Sequence, residues 1–582
     1  MKNLLFLLLP VSFSMSASAQ TIFETDSSQT LENIIVNAYE NNRKLIDVPA
    51  AISVVTARDL SRYDNTGIIE SLNTKPGVRM EERSPGSYRL SIRGSSLRAP
   101  FGVRNVKVYY DGIPFTDPGG NTYLNQLGFY NFQSIEVIKG PSGSMYGAGT
   151  GGVLLIKNNT ADFHPGASVM YNYGSNNLNN ADVNLRFGKE GAQNTINFQH
   201  QTSDGYRNHT AMRRDVFSWD AVFKKSKETV LQSHFLYGDM YYQTPGALTK
   251  KEYDLDGRSA RPHAGSFPSA DEAKAAFFAK TFLAGFSLDQ KINNYWKNTT
   301  SLYATYSQNR NPNFRNYSRT SEPNLGGRTN FQFNKEFKDI ILTLNTGAEF
   351  QQSFNTLRVY NNNGGIPGAL QTDDEIYNTQ GFVFLQANAE IKGGWTFTLG
   401  ASINESTLNF SRFSTTPPEN ERRTFKNELA PRFALLKKLN KSLSVYGSIA
   451  RGFSAPATAE VLPSTDIFNT TLQAESGNNI EFGTRGNFLR NRLYVDINAF
   501  FYRLKNAIVQ KRDLSGADFF DNAGSAKQNG LESYASYELI NNEQQFFNYG
   551  FIYISDTWNN FRYNNYKQLN TDFSGNKIPG VA

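Results

Sequence analysis

Charged residues beside glycines are the most informative chemical groups in this sequence. Arg93 follows an apolar strand and precedes Gly94, and Lys139 follows another apolar strand and precedes Gly140-Pro141. A lone arginine is usually a solvated surface residue. In a domain with little free surface, however, such a cation needs a partner, because an unpaired buried charge is costly.

Several other kinds of chemistry are excluded or poorly supported. The 582-residue chain has no cysteine, which excludes disulfides, thiolate catalysis and cysteine-bound metals. The five histidines show no recurring metal-ligand spacing, so we expect no dedicated metal site. They are His164, His200, His209, His234 and His263. No nucleophile-elbow, zincin or Walker pattern occurs in a fitting context. We therefore predict no catalytic residue, no metal, no cofactor and no enzyme.

The stretch Ser134–Lys157 is dense in glycine. Gly147, Gly149 and Gly152 match the G-x-G-x-x-G pattern of dinucleotide-binding loops. That pattern indicates phosphate binding only where a helix follows, and here β-branched and apolar residues follow. Glycines that allow two backbones to approach closely are the better interpretation.

The composition is compatible with a membrane barrel. Hydrophobic residues make up 39% and mean hydropathy is −0.50. No internal apolar run approaches the roughly 18 residues that a transmembrane helix needs. Barrel strands dilute the hydropathy signal by alternation, and the 30 Tyr and 44 Phe suit aromatic girdles.

The net charge of +7 comes from dispersed Lys and Arg. Nucleic-acid binding needs clustered cations, so we predict no nucleic-acid partner. A basic lumen or mouth that attracts anionic ligands is the better interpretation.

The N-terminus has the pattern of an exported protein. Lys2, the apolar run Leu4–Leu9 and the A-x-A site Ala17–Ala19 predict a signal peptide over 1–19. Residues 20–30 are polar and are expected to be disordered. The short apolar run within Leu31–Tyr39 reads either as the first strand of a domain or as an extended peptide that a partner captures by strand addition.

Two kinds of sequence pattern follow along the chain. Within Asp47–Ile156 we expect short helices after Thr56 and after Asn65 or Thr66, together with short strands, which is typical of a small α/β domain. The strands are predicted at Ile52–Val55, Val78–Met80, Leu90–Ile92, Val106–Tyr110, Ile135–Ile138 and Val153–Ile156. From Ala167 onward apolar residues alternate regularly, and short turns alternate with long polar stretches such as Met240–Lys280. That pattern favours a membrane barrel over an extracellular all-β sandwich array.

Four segments of the first domain resemble the TonB-dependent outer-membrane receptors of ferric-siderophore type. Leu90–Arg98, Val108–Pro114 and Ile135–Pro141 resemble motifs of that family's plug domain. The segment NIIVNA resembles its TonB box and consists of Asn33, Ile34, Ile35, Val36, Asn37 and Ala38. The resemblance implies an all-β transmembrane antiparallel barrel of the 22-stranded type, incomplete here, with an N-terminal α/β plug domain inside it.

The resemblance also implies site residues. Arg93 and Lys139 match two plug cations that face two barrel carboxylates, and Glu481 and Glu532 stand in the segments that carry those carboxylates. Arg and aromatic residues on plug apices suit an anionic, aromatic-bearing chelate. Packing of the plug against the barrel is an equally good interpretation of the same residues. They are Tyr88, Arg98, Phe101 and Arg104.

The implied function is TonB-dependent uptake of a scarce ligand, most readily a ferric siderophore or similar iron chelate. The implied partners are a TonB-type energy-transducing complex in the periplasm, outer-membrane lipid and the iron chelate, and the location is the outer membrane of a Gram-negative bacterium. A passive or ligand-gated porin stays open, as does uptake of vitamin B12, haem iron or an oligosaccharide.

The expected domain bounds are 20–45 for a periplasmic tail with the TonB box, 46–160 for the plug and 161–582 for the barrel. The chain stops at Asn576–Ala582, which resembles a turn that introduces a further strand. We therefore expect a C-terminal truncation that lacks roughly four or five strands of a closed barrel.

Overall fold

The structure is a computed structural model. It describes residues 34–40, 42–63, 66–82, 84–95, 102–158, 163–462, 468–512, 518–522, 524–542, 544, 546–568 and 571–581. The predicted signal peptide and the polar tail over 20–30 lie outside the described residues.

The first domain, the plug, is a small α/β unit, as predicted. Its strands are β1 Ile35–Val36, β2 Arg43–Lys44, β3 Ile52–Thr56, β4 Val78–Glu82, β5 Tyr88–Ile92, β6 Val106–Tyr110, β7 Ile113–Pro114, β8 Phe132–Lys139 and β9 Gly152–Asn158. Its helices are α1 Ala57–Ser61, α2 Ile69–Asn73 and α3 Gly143–Tyr146, with 3₁₀ turns at Ala38–Glu40, Leu45–Asp47 and Leu124–Gln126.

The central sheet of the plug has the order β3-β8-β9-β6-β7, and only the β6–β9 pair is parallel. The sequence predicted strands of the plug and the cap of α1, but not the order of the strands in the sheet. Thr56 caps α1 by accepting a hydrogen bond from the Asp59 N–H at 3.2 Å, while Asp59 accepts one from the Thr56 N–H at 3.1 Å. The short helix α3, which begins at Gly143, was not predicted.

An 18-stranded antiparallel sheet surrounds the plug. Its strands are β10 Gly166–Gly174, β11 Leu178–Lys189, β12 Ala192–Ser203, β13 Met212–Ser226, β14 Thr229–Gln243, β15 Ala276–Lys291, β16 Trp296–Pro312, β17 Asn316–Glu336, β18 Ile340–Asn363, β19 Ile366–Ile391, β20 Trp395–Arg412, β21 Glu419–Leu429, β22 Arg432–Asn440, β23 Leu443–Ser454, β24 Glu475–Phe488, β25 Leu493–Lys505, β28 Ser525–Asn541 and β29 Tyr549–Asn565. A small separate hairpin of β26 Ile508–Arg512 and β27 Asp518–Asn522 lies between β25 and β28 in the chain. The remaining elements are β30 Lys567–Gln568, β31 Thr571–Asp572, α4 Lys250–Leu255 and α5 Thr458–Val461.

Most strands of this sheet present apolar residues outward and mainly polar residues inward. In β13, Phe217 and Trp219 are exposed on the outer face, while Arg214, Ser218 and Asp220 are buried against the plug. A period of two puts successive side chains on opposite faces. The alternation that the sequence shows therefore separates a lipid-type outer surface from a polar lumen. Among the described residues, no helix is long and apolar enough to cross a membrane.

The two ends of the sheet differ in their connections. Short turns such as 190–191 and 227–228 join the strands at one end, here called the turn end. Long loops such as 244–275 and 455–474 join them at the other end, here called the loop end. Short turns face the periplasm and long loops face outward in bacterial barrels.

The edges of the sheet are β10 and β29, which do not pair with each other in the described part of the chain. Beyond β29, the Ile578 N–H donates to the Phe561 carbonyl at 3.0 Å, and Lys577 forms a bridge with Arg562. Residues 576–578 thus lie along the outer edge of β29.

The main core lies within the plug and extends to three residues of the barrel wall, Val216, Leu236 and Leu283. Leu90, Ile92 and Val108 of the plug pack in one buried cluster with Val216 and Leu236 of the barrel wall. Burying this much apolar surface fixes the plug within the sheet.

Candidate functional site

Arg93 joins the plug to the barrel wall. It follows β5 in a left-handed turn, with φ of +49° and Gly94 next at +74°. Its Nε and Nη2 donate to the two carboxylate oxygens of Glu532 at 2.8 and 3.0 Å. Its Nη1 donates to Glu481, and Nη2 also donates to Asn498 at 2.9 Å. One guanidinium therefore contacts three barrel strands, β24, β25 and β28.

Lys139 completes this cluster from the end of β8. Its Nζ lies 3.1 Å from Glu532 Oε2, and the side chains of Arg93, Lys139, Glu481 and Glu532 are each no more than 5% exposed. Burial lowers the pKa of Lys139, and Glu532 opposes that shift. Burial alone would lower the pKa of Arg93, but Glu532 and Glu481 together raise it. The four side chains lie in contact.

A second buried cluster, which the sequence reasoning missed, centres on Glu349 of β18. Its carboxylate accepts hydrogen bonds from Lys107 Nζ at 2.5 Å, from the Tyr109 hydroxyl at 2.8 Å and from Arg328 Nη1 at 3.0 Å. Arg328 Nη2 lies 3.2 Å from Glu40 Oε1. Charged groups therefore connect the central sheet of the plug, through the barrel wall, to the N-terminal segment.

That N-terminal segment, Ile34–Glu40, is folded onto the plug. Here we call it the coupling segment. Ile35 and Val36 pair with β2, and the carboxylate of Glu136 on β8 accepts hydrogen bonds from the Asn37 N–H at 2.8 Å and the Ala38 N–H at 2.9 Å. Val36 and Ala38 are fully buried, whereas Ile35 is 61% exposed. Of the six predicted TonB-box residues, Asn33 lies outside the described residues, and the other five belong to a segment that is folded onto the plug with the Ile35 side chain exposed.

Arginines of the barrel wall hold the chain immediately after the coupling segment. Arg485 Nη1 donates to the Leu45 carbonyl at 2.6 Å, and Arg485 Nη2 donates to the Ala50 carbonyl at 3.1 Å. Arg432 Nη2 donates to the Pro49 carbonyl at 2.5 Å. The segment lies at the turn end, because Arg43 pairs at 2.8 Å with Glu390, one residue before β19 ends there.

The four residues predicted to face a ligand have different positions. Tyr88 is 6% exposed in the plug core, with its ring 6.2 Å from that of Phe129. Packing, the alternative interpretation, accounts for this position. Arg104 is half-buried, and its charge opposes the increase that burial causes in the pKa of Asp117. Arg98 and Phe101 lie outside the described residues.

A small cavity toward the loop end lies between plug and wall. It is lined by the plug turn Asp117–Gly120 and by Arg423 and Phe425 of β21, among others. Arg423 is opposite Leu408 in the sheet and shares its inward orientation. Burial raises the pKa of Asp117 to about 6, although the N–H of Asn121 donates to its carboxylate at 2.9 Å.

The fold also brings together three residues that are distant in sequence. His234 Nδ1 lies 2.8 Å from Asp220 Oδ1 on the wall and 3.5 Å from Asp111 Oδ2 on the plug. Burial raises the pKa of Asp111 to about 6, although His234 opposes the shift. Spacing along the chain could not have shown this group, because its members come from the plug and from two barrel strands.

The chain matches two family models. Residues 44–153 match the TonB-dependent Receptor Plug Domain, and residues 231–582 match the TonB dependent receptor-like β-barrel.

Solved structures have the same fold. The ferric citrate transporter FecA in its unliganded form is 19% identical, with a TM-score of 0.71 over 89% of this chain and 79% of that chain. The siderophore receptor PiuA from Acinetobacter baumannii is 17% identical, with a TM-score of 0.72 over 95% and 86%. The ferric yersiniabactin uptake receptor FyuA from Yersinia pestis is 15% identical, with a TM-score of 0.70 over 92% and 82%. With a plug held by buried ion pairs inside an antiparallel sheet, and with family models covering both parts, the chain belongs to the TonB-dependent receptors of the Gram-negative outer membrane.

Proposed function

We propose that this chain takes up a ferric siderophore or a similar iron chelate across the outer membrane, driven by a TonB-type complex in the periplasm. The chain is a transport receptor in this proposal and has no catalytic role. The similarity to FecA, FyuA and PiuA supports an iron chelate as the cargo. One observation carries the coupling role: the coupling segment lies at the turn end and is held by hydrogen bonds to one buried carboxylate, Glu136.

Pulling on the coupling segment would act on the plug through a short path. The segment leads through residues 45–51 into β3, which is the edge strand of the central plug sheet and pairs only with β8 in the described residues. A periplasmic partner that adds a strand to Ile35 and Val36 would first compete with β2 for backbone hydrogen bonds. Further pulling would separate β3 from β8 and open a path beside the plug.

The ligand would enter at the loop end. Arg104 on the plug and Arg423 on the wall supply positive charge there, and Phe425 supplies an aromatic face. Such groups suit an anionic chelate with aromatic rings. Arg98 and Phe101 remain predicted ligand contacts in this proposal, whereas the ring of Tyr88 supports the plug from within.

Uptake without energy coupling is the main alternative. A passive or ligand-gated porin has no need of the coupling segment, so loss of that segment would leave its uptake intact. The other cargoes under consideration, vitamin B12, haem iron and oligosaccharides, would use the same coupling and differ only at the loop end.

Growth on single iron chelates, with and without this protein, tests the cargo. The coupling role is tested by Ile35→Pro, which removes a backbone N–H needed for strand addition. We expect surface binding of the chelate to stay near normal and transport to be lost. Ile35→Ala is the matched control, because the Ile35 side chain is exposed and alanine retains the N–H. If Ile35→Pro reduced binding and transport together, the coupling role would be abandoned.

A further inference from the structure

Three side chains that can bind a metal ion meet where one edge of the plug sheet contacts the barrel wall. Asp111 lies in the turn between β6 and β7, and the other two are Asp220 of β13 and His234 of β14. His234 Nδ1 lies 2.8 Å from Asp220 Oδ1 and 3.5 Å from Asp111 Oδ2. One donor atom from each residue lies within 4.8 Å of the other two. One small ion could therefore contact all three residues at once.

The fold holds these three residues in place. Asp220 and His234 are directly opposite each other on neighbouring strands, which brings their side chains to the same face. Asp111 has a left-handed backbone, with φ of +47°, and its Oδ1 accepts a hydrogen bond from the Asn158 N–H at 2.9 Å. That hydrogen bond orients the carboxylate, with Oδ2 on the side of His234. Secondary contacts of this kind position the ligands of metal sites.

The group has too few partners of its own. Asp111 Oδ2, Asp220 Oδ2 and His234 Nε2 are buried and have no hydrogen-bond partner in the described part of the chain. The side chains of Asp220 and His234 are only 1% and 2% exposed, and that of Asp111 is 8% exposed. Among the described residues, no lysine or arginine forms an ion pair with either carboxylate. One histidine supplies at most one positive charge against two buried carboxylates, so the group needs a further cation.

The donor atoms favour a transition metal over calcium or magnesium. Ca²⁺ and Mg²⁺ prefer sites made of oxygen ligands, whereas an imidazole nitrogen beside two carboxylates suits Zn²⁺. Bonds from Zn²⁺ to such donors are about 2.0–2.2 Å, so two donors of a tetrahedral site lie about 3.4 Å apart. The separations of 2.8 and 3.5 Å from His234 Nδ1 are close to that value and require only small side-chain shifts.

We propose that Asp111, Asp220 and His234 bind a structural divalent metal ion, for which Zn²⁺ is the best match. Each residue donates one lone pair, and the ion replaces the proton between His234 Nδ1 and Asp220, which is released to solvent. Gly112, next to Asp111, is exposed, so the ion enters from that side and a water completes the fourth position. This proposal replaces the expectation of no metal site, which considered only spacing along the chain.

The position of the ion gives it a mechanical role. The central plug sheet has the order β3-β8-β9-β6-β7, so Asp111 connects the two strands at the edge opposite β3. A metal ion there ties that edge to β13 and β14 of the wall. In the proposed transport function, pulling begins at β3, and the opposite half of the plug would stay anchored. The metal site itself depends only on its own contacts and would stand if the transport function were wrong.

The test uses the purified full chain, without a histidine tag, in an uncharged detergent after treatment with a chelator. Equilibrium dialysis against Zn²⁺ and elemental analysis give the number of ions bound and their affinity, and the thermal unfolding temperature gives the stabilisation. Ca²⁺ and Mg²⁺ are the comparison ions. His234→Gln removes the nitrogen ligand. His200→Gln is the matched control, because His200 Nδ1 lies 2.5 Å from Asp215 Oδ1 in a partly exposed pair on the outer face.

We expect the parent to bind one Zn²⁺, with His234→Gln weaker by about tenfold or more and His200→Gln within about twofold of the parent. Saturating Zn²⁺ should raise the unfolding temperature of the parent by about 3 °C or more. Asp111→Asn should lose this increase, yet without zinc it should unfold no lower than the parent, since one of two neighbouring carboxylates has been neutralised; it replaces His234→Gln if that variant fails to fold.

Three results would overturn the proposal. The first is that the parent binds no Zn²⁺. The second is that the parent, His234→Gln and Asp111→Asn bind it equally, which would place the ion elsewhere on the surface. The third is that Ca²⁺ or Mg²⁺ displaces Zn²⁺ at equal concentration, which would indicate a site made of oxygen ligands without His234.

Discussion

The carboxylate of Glu136 accepts a hydrogen bond from the backbone N–H of Ala38 at 2.9 Å. The second carboxylate oxygen accepts from the Asn37 N–H at 2.8 Å and from the Asn37 side-chain amide at 3.2 Å. A side chain of the central plug sheet thus satisfies two backbone donors of the coupling segment. Because Ala38 is fully buried, its N–H has no access to water while the segment stays docked.

The first prediction is that Glu136→Gln loosens the coupling segment. Glutamine presents one acceptor oxygen and an NH₂ group, so one backbone N–H faces another donor. An unsatisfied buried donor costs about 1–3 kcal/mol, which is about 5- to 150-fold in the docking equilibrium.

The chain has no native cysteine, so Ala38→Cys can report on docking by its rate of labelling with a maleimide. We expect at least a fivefold faster rate in the Glu136→Gln background. Glu190→Gln, at an exposed turn, is the control and should leave the rate unchanged. An unaltered rate with Glu136→Gln would mean that other contacts hold the segment.

The second prediction concerns the ion pairs of Arg93. Arg93→Ala leaves Glu481 and Glu532 buried with only Lys139 nearby, and breaking a buried pair in this way costs about 3–5 kcal/mol. Arg93→Lys should also be destabilising, because one ammonium cannot replace the fork that contacts Glu532 at two oxygens.

Calorimetry of the detergent-solubilised protein measures both effects. Arg79→Ala is the matched control, since Arg79 pairs with Glu81 at the surface, where an ion pair contributes about 0–1 kcal/mol. If Arg93→Ala and Arg79→Ala changed stability equally, the Arg93 pairs would have no structural importance.

The third prediction is energetic coupling between Lys107 and Glu349. Lys107→Met leaves Glu349 with Tyr109 and Arg328, and Glu349→Gln leaves two buried cations facing a neutral amide. Each single change should destabilise the protein, and the double variant should be less affected than the sum. Direct partners show interaction energies of about 0.5–3 kcal/mol in such cycles. Strict additivity would show that the two groups do not stabilise each other.

The local structure was predictable because it follows short-range rules. Period-two alternation predicted the barrel strands, and the capping residue Thr56 predicted the start of α1. Arg93, Lys139, Glu481 and Glu532 were named from a family resemblance, because no spacing rule relates residues 388 to 439 positions apart. The structure places them in contact, while their role in transport stays a proposal.

The contacts of Lys107 and Glu136 were missed, although both residues carry a signal in the sequence: each is a charged residue inside an apolar strand. Lys107 interrupts the apolar strand Val106–Tyr110, and Glu136 interrupts Ile135–Ile138. A charge on the buried face of a strand requires a partner, so each such interruption predicts a buried contact. The partner itself could not be predicted, because Glu349 and the Asn37 N–H approach only when the plug lies within the sheet. Tyr88 was assigned to a ligand-facing apex because β5 was expected to begin at Leu90; the strand begins at Tyr88 and places its ring in the core.

The last prediction is a pH dependence that originates at Asp117. Burial raises the pKa of Asp117 from 3.8 to about 6, so the folded protein binds this proton more tightly than the unfolded chain does. The stabilisation is therefore complete below about pH 3.8 and is lost as the pH rises through about 6. A shift of this size corresponds to about 3 kcal/mol, which is an upper value for a group that is not fully buried.

Asp117→Asn cannot ionise, and its amide oxygen can still accept from the Asn121 N–H. We expect the unfolding temperature of the variant, relative to the parent, to increase between pH 4 and pH 7.5. Asp111 titrates in both proteins, so it cancels in this difference. Asp254→Asn in the exposed helix α4 is the control, and its difference from the parent should stay flat over the same range. A flat difference for Asp117→Asn as well would show that the Asp117 carboxylate is solvated at the loop end and bears no cost of burial.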